Sequence, residues 1–199
     1  MKRTRWGILG PGNIAQNFAD GLAQAPSGVL AAIASRSAER RASFGDRNKV
    51  AAEKRYATYE AMLADADIDA IYISTPHPWH AEWAIKAMRA GKAVLVEKPA
   101  GMNAGEVVAV TEVAEQCGTF FMEAFMYRCH PQIARVLEII ASGEIGTLRH
   151  IKTHFGFSAK FDAVSRLYDR NLGGGGILDV GGYPASLARL IAGASVIHR

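Results

Sequence analysis

A doubly wound parallel α/β sheet, followed by a smaller α+β domain, is the fold class this sequence predicts. Three observations predict it. Apolar runs of about five or six residues alternate with segments of helical period as far as about residue 124. Those runs are apolar throughout rather than on every second residue, which is how strands covered on both faces read. After Met126 the rhythm changes to one amphipathic helix, one better-alternating segment and a glycine-rich loop. This places a domain boundary near residue 122, with domains at 1–122 and 123–199.

In chain order, Trp6 to Leu9 is a short strand, and Gly10-Pro11-Gly12-Asn13-Ile14-Ala15 turns it into a helix running to about Ala25. Gly10 permits the tight turn, Gly12 lets backbone approach a ligand, and Ala15 is small where helix meets strand. Unpaired amides at that helix start, with the positive end of its dipole, suit a pyrophosphate. Pro26-Ser27-Gly28 ends the helix, and Val29 to Ala34 is the second strand. Ser37 reads as the N-cap of the next helix, and Tyr59 to Ala64 as a short one.

Ala70 to Ser74 is another strand, closed by the turn Thr75-Pro76-His77-Pro78. A helix from His80 to Ala90 stops at Gly91, and Ala93 to Glu97 is a strand. Asn103 with Glu106 forms a capping-box start for a helix to about Gln116, and Thr119 to Ala124 is the last strand of the first domain. Beyond it, Pro131 to Ser142 is an amphipathic helix and Leu148 to Phe157 reads as an antiparallel strand. A helix runs from about Gly182 to Ala192, and Ser195-Val196-Ile197-His198 looks like the start of another strand. One strand cannot bury its own face, so the second domain reads as cut short.

The 199 residues are 49% hydrophobic and 21% charged, with a net charge of +4. Lys and Arg are scattered among Asp and Glu, which suits an anionic cofactor and gives no basic stripe for nucleic acid. No apolar run approaches the ~20 residues that span a bilayer. Cys117 and Cys129 have no metal or C-x-x-C spacing, and reduced thiols in a cytoplasm are expected. No His, Asp or Tyr grouping has metal-ligand spacing.

The second strand ends in Ser35-Arg36-Ser37, without the acidic residue that would take a ribose 2′-OH in a Rossmann unit. Arg36, with Ser35 and Arg40 adding donors, favours a 2′-phosphate. The expected cofactor is therefore NADP rather than NAD.

At Glu97-Lys98-Pro99 the chain resembles the glucose–fructose oxidoreductase/inositol dehydrogenase (Gfo/Idh/MocA) family. Thr75-Pro76-His77-Pro78-Trp79-His80, Met122-Glu123-Ala124-Phe125-Met126-Tyr127-Arg128, Gly143-Glu144-Ile145-Gly146 and the segment from Gly174 to Tyr183 agree in the same order. The resemblance implies a Rossmann domain and an α+β domain with an open antiparallel sheet, often used for dimerisation, of which a substantial part would be missing here. It extends the cofactor set from Gly10, Gly12, Asn13 and Ile14 to Thr75, Pro76, His77, His80, Glu97 and Lys98.

The resemblance also implies a catalytic trio of Lys98, Asp179 and Tyr183. Most members carry His where this chain has Tyr183, and tyrosine there is similar to the branch holding dihydrodiol and NADP-dependent D-xylose dehydrogenases. If a helix begins near Asp179, Asp179 and Tyr183 share one face. The expected substrate is a sugar, polyol or cyclic diol, with neither nucleic acid nor membrane as partner, and a homo-oligomer through the C-terminal sheet. The alternatives are a cofactor-binding regulatory or scaffold protein, or a non-catalytic fragment.

Overall fold

The computed structural model describes residues 2–193. The chain divides into two compact units that part between Ala124 and Phe125. The first is built on six parallel strands: β1 (Thr4–Leu9), β2 (Gly28–Ala34), β3 (Arg55–Tyr56), β4 (Ala70–Ile73), β5 (Ala93–Glu97) and β6 (Phe121–Ala124). Their spatial order is β3-β2-β1-β4-β5-β6, so the strand order reverses between β1 and β4, where Ile8 lies opposite Tyr72. In such sheets ligands bind beyond the carboxyl ends of the strands at that reversal.

The pleat sorts side chains onto two faces. Ile8, Ile33 and Tyr72 pack with Ala15 and Ala19 of α1 (Asn13–Gln24) and with Phe44 of α2 (Ala38–Arg47). Their neighbours Leu9, Ala34, Ile71 and Ile73 face the other way. There they meet α3 (Tyr59–Leu63), α4 (His80–Arg89) and α5 (Ala104–Cys117) through Met62, Met88 and Val110. Ile8, Leu9, Ile33, Ile71 and Ile73 are wholly buried, each stabilising the fold by about 1.5–3 kcal/mol.

Helix starts follow local side-chain chemistry. Ser37 Oγ accepts the Arg40 N–H at 3.2 Å, and Thr58 Oγ1 accepts the Ala61 N–H at 3.2 Å. Asn103 Oδ1 accepts the Glu106 N–H at 3.0 Å while Glu106 Oε2 reaches back to the Met102 N–H at 2.8 Å, a reciprocal cap. The left-handed Gly118, at φ 60°, ends α5.

Between α3 and β4, Asp65 accepts from the Tyr56 O–H at 2.7 Å and pairs with Lys54 Nζ at 2.8 Å. Burial pushes the Asp65 carboxyl up, but Lys54, Tyr56 and the Asp67 amide outweigh it and bring it down to about 2. A carboxyl lowered by folding stabilises in full above its free value of about 4. That contribution fades as pH falls towards 2. Thermal melting followed from pH 5 to pH 2 should show this loss, and Asp65→Asn should flatten that part of the profile.

The second unit carries α6 (Pro131–Ala141) and α7 (Gly182–Ala192). His130 Nδ1 accepts the Gln132 N–H at 3.1 Å and so caps α6. A wide π-helical turn, Ile177–Gly181, leads directly into α7. It lies just ahead of Pro184, which has no N–H for the helical ladder.

The strand expected at Leu148–Phe157 does not form, and no antiparallel sheet is present among the described residues of this unit. Alternation supplies a face, but a strand exists only through ladder bonds to a neighbour, and no described segment pairs with this one. The expected strand start at residues 195–198 lies outside the described residues. In the first unit, β3 was not expected: two residues carry no periodicity and are fixed only by pairing Ile33 with Arg55 and Ala34 with Tyr56.

Candidate active site

In the first unit, Gly10 joins the carboxyl ends of β1 and β4. Its φ is +83°, and a Cβ there would lie 3.1 Å from the Thr75 nitrogen and 3.2 Å from the Ser74 oxygen. Only glycine meets both demands. Ser74 Oγ closes the same junction by donating to the carbonyls of Leu9 and Gly10 at 3.2 and 3.0 Å. Gly12, the N-cap of α1, has extended backbone and no capping side chain. A Cβ on it would approach nothing nearer than the Gly10 oxygen at 3.9 Å, so the space beside the first α1 amides is open.

Asn13 and Ile14 follow at the head of that helix. Ile14 is 47% exposed although Ala15 behind it is fully buried. Thr75 is buried, and its Oγ1 lacks a hydrogen-bond partner among the described residues. Open amides, an uncovered apolar side chain and a buried hydroxyl in want of a partner together fit a dinucleotide.

Arg36, Thr75 and Pro76 line one cleft of about 280 Å³. Sequence reasoning did not place its other walls there: Thr58, Tyr59, Glu60, Trp79, Glu82 and Trp83. The Tyr59 and Trp83 rings meet edge-on at 4.8 Å, with Lys86 Nζ 4.2 Å over the Trp83 ring. Burial pushes the Tyr59 phenol up, with Arg36 and Arg40 opposing. Ser35 is buried at the end of β2, where its Oγ accepts the Ser37 N–H at 3.3 Å and its carbonyl accepts from Arg41 at 2.6 Å. Arg36 is exposed and Arg40 stands in the first turn of α2. No carboxylate occupies the tip of β2.

His77 and His80 lie side by side, with ring centroids 5.7 Å apart, and both are buried. His80 Nδ1 is 2.7 Å from the Pro99 carbonyl and Nε2 is 2.6 Å from the Thr75 carbonyl. Burial pushes its pKa down, against the pull of those carbonyls and of Glu97. A carbonyl only accepts, so a neutral ring donates to one of the two and an imidazolium to both. Glu97 ends β5, and half-buried Lys98 stands immediately beyond it.

In the second unit, Asp179 lies in the wide turn and is 6% exposed. Arg166 Nη1 donates to its Oδ1 at 2.8 Å. Arg166 was not expected: it belongs to an irregular loop and no motif marks it. Tyr183 opens α7, and its ring makes edge contacts with Phe125 and Phe155 at 5.5 and 5.3 Å. Its O–H points to Met126 Sδ at 3.5 Å. Asp179 and Tyr183 thus occupy one continuous helical stretch, the π-helical turn running into an α-helix that starts at Gly182, where the sequence places it.

Residues 4–125 match a family described as an oxidoreductase family with an NAD-binding Rossmann fold, Gfo/Idh/MocA. The chain belongs to the Gfo/Idh/MocA family. Residues 133–198 match that family's C-terminal domain. Trans-1,2-dihydrobenzene-1,2-diol dehydrogenase of Mus musculus is 37% identical over 96% of this chain and 56% of its own length. D-xylose 1-dehydrogenase (NADP(+)) 2 of Haloferax volcanii is 39% identical over 94% of this chain and 57% of its own.

A 3-ketoreductase from Actinomadura kijaniata, solved with NADP and TDP-benzene, superposes with a TM-score of 0.89 at 34% identity. It is covered over 58% of its length by 97% of this chain. The chain therefore spans a little over half the length of the relatives it matches. No helix among the described residues is long and apolar enough to cross a membrane.

Proposed function

We propose that this chain is the nucleotide-binding and active-site part of an NADP-dependent oxidoreductase acting on a CH–OH group of a sugar, polyol or cyclic diol. The observation that carries this reading is the Arg36-walled cleft. It opens beside Thr75 at the strand reversal, and the tip of β2 carries serine and arginine in place of an acid. Relatives named as NADP-linked or diol dehydrogenases support it. Gly12, Asn13, Ile14 and Thr75 would hold the pyrophosphate and nicotinamide side, and Ser35, Arg36 and Arg40 the 2′-phosphate.

The dinucleotide, when bound, supplies the redox chemistry at nicotinamide C4. For oxidation of an alcohol, Tyr183 takes the hydroxyl proton and Lys98 polarises the reacting oxygen. Asp179, which accepts a hydrogen bond from Arg166, orients the hydroxyl. Retention of all three residues supports catalysis over a regulatory or scaffold role. Cys117 and Cys129, both exposed and unbridged, support a cytoplasmic setting, and a homo-oligomer is the assembly expected of the whole protein.

The test is titration with NADPH and with NADH, following nicotinamide fluorescence. NADPH is expected to bind the tighter. Arg36→Ala removes charge-assisted hydrogen bonds of about 1.5–3 kcal/mol, so its NADPH Kd should rise about 10- to 100-fold while the NADH Kd holds. Equal affinities for both nucleotides in the unmodified chain would sink the NADP assignment.

A further inference from the structure

One residue of the Met122-Glu123-Ala124 motif has no place in the chemistry above. Glu123 stands on β6 opposite Val96 of β5, and its Oε1 accepts the Ala100 N–H at 2.8 Å. Ala100 is 2% exposed, so no solvent would replace that bond. On the same turn His80 Nδ1 lies 2.7 Å from the Pro99 carbonyl. On the other side of Lys98, the Tyr72 O–H donates to Glu97 Oε1 at 2.5 Å. The Tyr72 ring is itself fixed by stacking on Phe18 at 4.0 Å. Side chains from β4, α4 and β6 thus tie down the residue before Lys98 and the two after it.

We propose that Glu123, acting through the Ala100 amide, is a positioning residue that sets where Lys98 stands, with His80 and Tyr72 as the other two holds. The proposal rests on the reading of Lys98 as a catalytic group. A backbone free to shift by about an ångström at this turn would carry the ammonium out of reach, and misplacements of that size cost about 100-fold in rate. Glu123 is the informative member of the three because it accepts directly from a backbone amide of this turn and lines no part of the cleft. Glutamine in its place keeps an oxygen that accepts the same N–H, whereas alanine leaves a buried donor without a partner.

The experiment compares Glu123→Ala and Glu123→Gln with the unmodified 199-residue chain in three ways. These are hydrogen exchange at the Ala100 amide, the rate at which an amine-acylating reagent modifies Lys98 (by peptide mapping), and kcat beside the NADPH Kd. In Glu123→Ala we expect faster Ala100 exchange, altered Lys98 reactivity and a kcat lower by about 10- to 100-fold, with the NADPH Kd unchanged as the sign that the domain is folded. Glu123→Gln should restore all of them. Ala100 exchange that stays slow in Glu123→Ala overturns the proposal, as does fast exchange with Lys98 reactivity unaltered. Turnover retained in Lys98→Met overturns the catalytic reading instead, and leaves the exchange and labelling results to decide the clamp independently.

Discussion

Lys98→Met is expected to lose turnover while NADPH still binds. The lysine stands at the carboxyl end of β5, half-buried, at the end of the sheet where a substrate oxygen would be polarised. Methionine keeps most of the length and apolar stem of lysine and removes only the charge. A preorganised charge aimed at a developing oxyanion contributes about 100- to 1,000-fold in rate. On the proposed reading the same cation would also bring a phenol with a free pKa of about 10 into use nearer neutrality. Any residual turnover in Lys98→Met should therefore rise only at higher pH than in the unmodified protein. A pH–rate profile reads both effects at once, and an unshifted profile at full rate would falsify the role given to Lys98.

Tyr183→Phe is the second large effect. A positioned general base contributes about 100- to 10,000-fold, and phenylalanine deletes the proton-accepting oxygen without changing the ring. The ring's edge contacts to Phe125 and Phe155 are retained in that variant. Its O–H contact to Met126 Sδ, at 3.5 Å, is a weak one. The expected result is a steep fall in kcat with the melting temperature nearly unchanged. A fall in stability of the same rank as the fall in rate would mark Tyr183 as a packing residue.

The sequence carried the strand-turn-helix at Gly10, the strands at Ala70 and Ala93, and the capped start of α5. In each case a single local signal (a glycine turn, a continuous apolar run, a reciprocal cap) decides the outcome. What it did not carry depends on residues far apart in the chain. β3 is two residues defined only by their register on β2. Tyr59, Trp79 and Trp83 become walls of a cleft because α3 and the start of α4 meet beside Arg36, and nothing in their spacing says so. Arg166 reaches Asp179 from a loop with no motif. The segment 148–157 shows the reverse failure: its alternation is legible, yet the ladder it calls for has no partner among the described residues. Of the candidate site, the glycine turn and the Arg36 tip are read from residue chemistry, while Lys98, Asp179 and Tyr183 enter as what the family resemblance implies.

The flanks of the nucleotide-binding sheet are its shortest members: β3 has two residues and β6 has four. An outer strand with free N–H and C=O groups is a template on which another chain can grow a ladder, and long flat edges invite aggregation. Two residues present almost no such template, and four present little more. The central strands, with up to seven residues in β2, are sealed between neighbours. Copies of this sheet are thus poorly equipped to stitch together backbone to backbone through β3 or β6.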